Sequence, residues 1–218
     1  MEQLLVVMFV AGLLTALFEV AYHAYLPTLV TRAELVEGNS KLEASGAAIE
    51  VASFGLGGWL VQHFDAAARR FATRPLVIGL ERSYTYKEMM AWSRRLASGL
   101  VAVGIRRGDN VAMIMANHPE FVAAKLALAR IGATAVPINF LLRRMELRYV
   151  LDQSDSVALL TMNALRDLDY LAELDAIAPG WETRGGGATL PRLRHVFVLP
   201  STGPARRGFR SFEDLAAL

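Results

Sequence analysis

The chain has 218 residues, enough for one domain or one domain with part of another, and is 54% hydrophobic and 20% charged. With a mean hydropathy of +0.32, that balance excludes both a disordered chain and a wholly membrane-embedded one. The absence of cysteine excludes a disulfide framework and thiolate chemistry, and leaves any zinc site to scattered histidines and carboxylates.

Charge divides the chain in two. Residues 1–62 carry two basic and six acidic side chains, whereas the remainder carries 21 basic and 15 acidic. The pI of 9.1 arises from dispersed pairs such as Arg69-Arg70, Arg94-Arg95, Arg106-Arg107 and Arg143-Arg144. They form no basic stripe, so no nucleic-acid partner is expected. From Gln3 to Phe18 no residue is charged, and after Glu19 a second uncharged stretch runs from Val20 to Thr31. A bilayer core needs about 20 apolar helical residues, so the first stretch qualifies by borrowing Val20 and Ala21. A signal peptide is excluded by Glu2 in place of a basic n-region and by the lack of a small-x-small cleavage site. A second candidate span, Leu42 to Val61, spaces Ala44, Ala48 and Ala52, then Ser53 and Gly57, four apart, which lets membrane helices approach closely. Glu43 and Glu50 leave open an amphipathic helix on a soluble domain, since a mid-bilayer carboxylate needs a partner or a wet cavity.

The run FEVAYHAYLPTLVTRAELVEGNSKLEASGAAIEVASFGLGGWLV, Phe18 to Val61, resembles the fourth helix, loop and fifth helix of major facilitator superfamily exporters. The match rests on "YLPTLV", "ELVEGNSKLEAS" and "GLGGWLV". It departs from that family at Ser53-Phe54, where Gly-Pro is usual. Two helices cannot enclose a transport path, so the resemblance implies no transport activity.

Past Gln62 the texture changes. Phe64 to Phe71 reads as a short helix, and Leu76 to Leu80 with Arg82 to Tyr86 as a hairpin turning near Glu81. Thr85 with Glu88 makes a capping box for a helix running to about Val103 and stopping at Gly104. Met89, Trp92, Leu96, Leu100 and Val103 recur at three and four, marking its buried face. Then follow Val111–Met115 as strand, Pro119–Ile131 as helix with a capping box from Asn117 and Glu120, and Thr134–Ile138 as strand. Arg144–Gln153 reads as helix and Val157–Thr161 as strand. Apolar strands alternating with single helices imply parallel βαβ units with right-handed crossovers. The fold class is α/β: a partial doubly wound parallel sheet behind two apolar, transmembrane-type helices.

The block from Arg74 to Thr161 resembles the start of the adenylate-forming acyl-CoA synthetase family. "SYTYKEM", "GIRRGDNVAMIMANHPEFVAAKLALARIGATAVPIN" and "ELRYVLDQSD" match it in order and spacing. With the tail to Leu218 the likeness covers residues 63–218. It implies an enzyme that uses ATP and magnesium to convert a carboxylic acid to an acyl-adenylate, then passes the acyl group to coenzyme A. The family's phosphate loop, Thr-Ser-Gly-Thr-Thr-Gly-x-Pro-Lys-Gly, is absent from this sequence, and its nucleotide contacts lie downstream of the matched region.

Two stretches superficially resemble that loop. Arg184 to Thr189 has three glycines but no lysine and no leading strand, so it reads as a loose surface loop. Ser201 to Arg206 follows an apolar strand, His195 to Leu199, yet lacks the second glycine and the lysine, and reads as a connecting turn. His118 reads as a solvent-facing neighbour of a helix cap, and Lys125 as a snorkelling surface lysine. His63 and His195 have no acid or nucleophile near in sequence to suggest a triad. Pro137-Ile138-Asn139 falls where a strand leaves a sheet's carboxyl edge, the ligand side of α/β folds. No residue of the chain is assigned a catalytic, cofactor-binding or metal role.

The expected domains are therefore 1–62, an apolar helical segment, and 63–218, the N-terminal portion of an AMP-binding domain cut before the phosphate loop. The first reading is a fragment of an AMP-forming acid:CoA ligase, inactive by itself and without cofactor, whose full-length form takes ATP, magnesium, coenzyme A and a carboxylic acid. The second is a membrane-associated, non-catalytic remnant of an exporter carrying an α/β passenger. The third, a binding module for nucleotide or acyl groups, predicts ligand-induced stabilisation. The expected location is the membrane through 1–62, with 63–218 on the cytoplasmic side. A sheet cut after three or four strands is expected to leave an edge and an apolar face bare.

Overall fold

A computed structural model describes residues 60–79, 82–200 and 208–218, which all fall in one compact unit. Residues 60–70 are helical. Strands β1 (Pro75–Ile78) and β2 (Ser83–Thr85) then pair antiparallel, as the expected hairpin. Helix α1 (Tyr86–Ala102) starts at Thr85, whose hydroxyl accepts from the Glu88 N–H while the Glu88 carboxylate accepts from the Thr85 N–H. That reciprocal cap is the one read from sequence. Met89, Leu96 and Leu100 are buried as expected, while Trp92 and Val103 are only half-buried.

The main sheet has five parallel strands. In chain order they are β3 (Asn110–Ile114), β4 (Thr134–Pro137), β5 (Ala158–Met162), β8 (His195–Leu199) and β9 (Arg210–Ser211). In space the order is β4-β3-β5-β8-β9, every pair parallel. Helix α2 (Pro119–Ile131) links β3 to β4, and α3 (Arg144–Gln153) links β4 to β5. A small antiparallel hairpin, β6 (Ala164–Leu165) and β7 (Leu168–Asp169), leads into α4 (Tyr170–Ile177) and the single turn α5 (Trp181–Arg184). Helix α6 (Phe212–Ala217) follows β9.

Side-chain alternation along the strands sorts the core into two halves. Val111 and Met113 of β3, Ala158 and Leu160 of β5, and Phe197 and Leu199 of β8 pack with α1, α2 and α6. Ala112 and Ile114, Leu159 and Met162, and Val196 and Val198 pack with α3, α4 and Trp181. The fold is a doubly wound, three-layer α/β arrangement, and the central strands β3, β5 and β8 are mainly apolar because both their faces are covered.

Three expectations need correcting. The sheet has five strands, and among the described residues both its faces are covered rather than one left bare, because α6 and the α4–α5 pair supply layers that short, weakly periodic sequences concealed. Asn117 and Glu120 form no capping box: the N-cap of α2 is His118, without a side-chain cap bond. Pro119 forces this, since the residue before a proline is driven out of the helical region, and His118 sits at φ −91°, ψ 145°. Residues 184–189 are no loose loop: Gly185 and Gly186 are buried, and a Cβ on Gly185 would lie 2.4 Å from the Leu193 carbonyl oxygen. Glycine is required there by close backbone approach, not by flexibility. The helix expected over Phe64–Phe71 is present, ending at residue 70 and, within the described residues, already under way at 60. Among the described residues no helix is long and apolar enough to cross a membrane. The two proposed spans, except Leu60 and Val61, lie outside those residues, as do the exporter-like motifs and Ser201–Arg206 apart from its flanks.

Candidate functional site

Parallel strands bring five carboxyl ends to one edge, and the chain reverses direction between β3 and β5, the switch point where doubly wound sheets place ligands. Met115-Ala116-Asn117-His118 leaves β3, Ile138-Asn139 leaves β4, Asn163 leaves β5 and Leu199-Pro200 leaves β8. Asn139 is exposed, and its Oδ1 accepts from the Leu141 N–H at 3.0 Å, closing a turn. The Phe140 carbonyl accepts from the Tyr170 hydroxyl at the start of α4, which anchors the β4 exit to the opposite side of the switch point. Burial pushes the Tyr170 phenol up, so it stays a donor.

The sequence-singled residues do not converge. His118 is half-buried at the α2 start and faces no assigned base or nucleophile. Lys125 is exposed, its ammonium 5.3 Å from the Phe121 ring centroid, a snorkelling contact as expected. His63 is exposed on the 60–70 helix. His195 lies at the opposite, amino edge of the sheet, as does the turn at Gly185–Gly186 that precedes β8.

Beside the carboxyl edge lies a groove of about 590 Å³ between β2, α1 and α6, reaching Leu199 at the end of β8 and Glu120 in the first turn of α2. Its aromatic wall is Tyr84 stacked on Trp92, ring centroids 5.5 Å apart, with the Arg82 guanidinium 4.2 Å from the Tyr84 centroid. Its rim carries Arg82, Arg95, Glu88, Glu120 and Glu213. Arg82 pairs with Glu88 at 3.1 Å, and the Thr85 backbone and hydroxyl cap bonds, with Arg82 adding less, hold the Glu88 carboxyl below the usual carboxylate range. Sequence reasoning took Trp92 for core and missed this wall. Glu88, Ala91, Trp92 and Arg95 recur at three and four, a second stripe on α1 next to the buried one, and that was the available signal.

Chemically the groove can bind but has no nucleophile paired to a base. Among the described residues no three His, Asp and Glu side chains cluster to hold a metal, and the groove rim sets three carboxylates against two guanidiniums.

A family profile described as AMP-binding enzyme matches residues 64–194. Crotonobetaine/carnitine–CoA ligase of Escherichia coli O1:K1 is 32% identical over 138 residues, 63% of this chain and 24% of that protein. 3-Hydroxybenzoate–CoA ligase of Aromatoleum sp. (strain CIB) is 39% identical over 87 residues, 40% of this chain and 17% of that protein. The solved structure of a Mycobacterium tuberculosis fatty acyl CoA synthetase superposes with a TM-score of 0.53 at 26% identity, covering 66% of this chain and 26% of that one. The chain thus matches about a quarter or less of the length of these relatives.

Proposed function

The chain belongs to the AMP-binding enzyme family, and from that premise we propose that it is the N-terminal portion of an acid:CoA ligase, inactive on its own. The full-length enzyme activates a carboxylic acid with ATP and magnesium to an acyl-adenylate and then forms the thioester with coenzyme A. The observation that carries the ligase reading is the colinear match of 64–194 to the family, with relatives that are acid:CoA ligases. What supports inactivity is chemical. Stabilising charge on a transferring phosphoryl or adenylyl group takes cations and aligned donors, whereas the arginines that follow the β4 exit are paired with carboxylates, Arg143 with Asp167 and Arg144 with Glu173, and in the groove Arg82 is paired with Glu88.

ATP–pyrophosphate exchange with a panel of carboxylic acids tests this. No exchange by the purified chain is expected, and exchange above background would refute the inactivity. Membrane association through 1–62 is a separate proposal, motivated by the uncharged run from Gln3 to Phe18. Carbonate extraction is expected to leave the chain in the membrane fraction; release would overturn it.

A further inference from the structure

His195 opens β8 and is half-buried. Its Nδ1 lies 3.3 Å from a guanidinium nitrogen of Arg210 on β9, and the same guanidinium lies over the Phe197 ring, 4.5 Å from its centroid. A guanidinium has donors only and keeps its charge. Nδ1 is therefore the acceptor and carries no proton, so the imidazole in this arrangement is neutral with its hydrogen on Nε2. The other side of the ring meets the carbonyl of Val103, the C-cap of α1, which accepts from the imidazole. One neutral ring thus joins a donor from β9 to an acceptor from α1, and an imidazolium cannot fill that role because it has no acceptor.

We propose that His195 is a proton-sensitive clasp: in its neutral form it ties the end of α1 to β9, and taking up a proton releases β9 with the α6 helix behind it. β9 pairs with β8 through two residues only, Arg210 with Phe197 and Ser211 with Val198, so the clasp supplements a short ladder whose other anchor is the buried Phe212 and Leu215 of α6. Protonation also sets a cation against Arg210 from β9 and Arg194 beside it in the chain. Burial, then Arg210 and Arg194, hold the ring below 6.5, against the opposing pull of the Val103 carbonyl. The nearby carboxylates engage other groups. Asp109 lies 3.6 Å from Arg194, and Asp214, which feels the Arg210 charge, is bonded by Ser211 in the α6 cap. Because Phe212, Glu213, Ala216 and Ala217 line the groove, release of α6 opens one of its walls.

Histidine side-chain nitrogen NMR on the full chain, read together with amide-exchange protection factors in β9 and α6 across the acid range, tests the clasp. The expected result is an Nε2–H tautomer with a midpoint below 6.5. Protection of α6 should fall about tenfold for each pH unit separating that midpoint from the ordinary value. His195→Gln, which keeps an acceptor and a donor without titrating, is expected to abolish the pH dependence. An Nδ1–H tautomer, a midpoint at or above 6.5, or the same acid loss of protection in His195→Gln would overturn the proposal. Should that variant not fold, Arg210→Gln is expected to raise the His195 midpoint, and an unchanged midpoint would equally overturn it.

Discussion

Asp65, on the helix before the first hairpin, reaches arginines from two other elements. Arg94 of α1 donates to it at 2.8 Å, and Arg130 at the end of α2 donates through both terminal nitrogens. Arg130 is nearly buried, its side chain 10% exposed, and its Nε donates to the Ser93 hydroxyl at 3.0 Å. The Arg130 bond, aided by Arg94 and opposed by burial, holds the Asp65 carboxyl at about 2. Asp65→Asn leaves Arg130 buried against a neutral partner and is expected to cost about 3 kcal/mol, read by denaturant unfolding. The sign of the pH effect follows from the depressed value. The stabilisation is complete above the ordinary 3.8 and is lost as pH falls through about 2. Wild type should therefore lose more stability than Asp65→Asn over that interval, and equal losses would show that Asp65 contributes none of the acid sensitivity. Tyr170→Phe strips the donor from the Phe140 carbonyl and is expected to cost about 1–2 kcal/mol. Neither partner pair was legible in the sequence, because Asp65 and Arg130, or Phe140 and Tyr170, come together only once the layers stack.

Helix α1 packs on α6 by close backbone approach at Gly99 as well as by side chains. At Gly99 an added Cβ would lie 1.7 Å from the Leu215 carbonyl oxygen, a distance no side-chain adjustment relieves. Gly99→Ala sets two effects against each other. Alanine in a helix interior gains about 1 kcal/mol over glycine, but here it must push α6 away and expose Phe212 and Leu215, both buried. Packing wins, so the variant is expected to be less stable and to lose amide protection in α6 while α2 and α4 keep theirs. A net stabilisation would refute the close contact. The elements themselves were unequally legible. Pro119–Ile131, Arg144–Gln153 and His195–Leu199 matched their expected bounds, since each has a long apolar period or a firm stop such as Gly132 in the left-handed region at φ 73°. The β6–β7 hairpin, α4, α5, β9 and α6 were not read, being two to eight residues long and held by contacts distant in sequence.

The two halves of the core share one sheet, and that decides how the described unit unfolds. Leu159 and Leu160 are adjacent on β5 and fully buried on opposite faces, the first against α3 and α4, the second against α1 and α2. Neither face can lose its helices without leaving the apolar backs of β3, β5 and β8 exposed, so the layers are coupled through the strands rather than stacked as independent units. Cutting either residue to alanine removes buried methyl groups and leaves a cavity, at about 2–5 kcal/mol. Both variants are accordingly expected to lower the same single transition, with amides of α1 and of α4 losing protection together in each. If Leu159→Ala loosened α4 while α1 kept its wild-type protection, the faces would be separate folding units. This coupling also bears on the edges. β4 is half-exposed and ends in Pro137, which offers no N–H to a passing strand, and β9 is two residues long. Both edges are therefore poor templates for pairing, and among the exposed large apolar side chains Met145 and Tyr149 of α3 stand one turn apart, 75% and 65% exposed. Met145→Glu with Tyr149→Lys is expected to reduce self-association in sedimentation without shifting the unfolding transition, because these side chains contribute to neither core. A matching fall in stability would place them inside the packed structure instead.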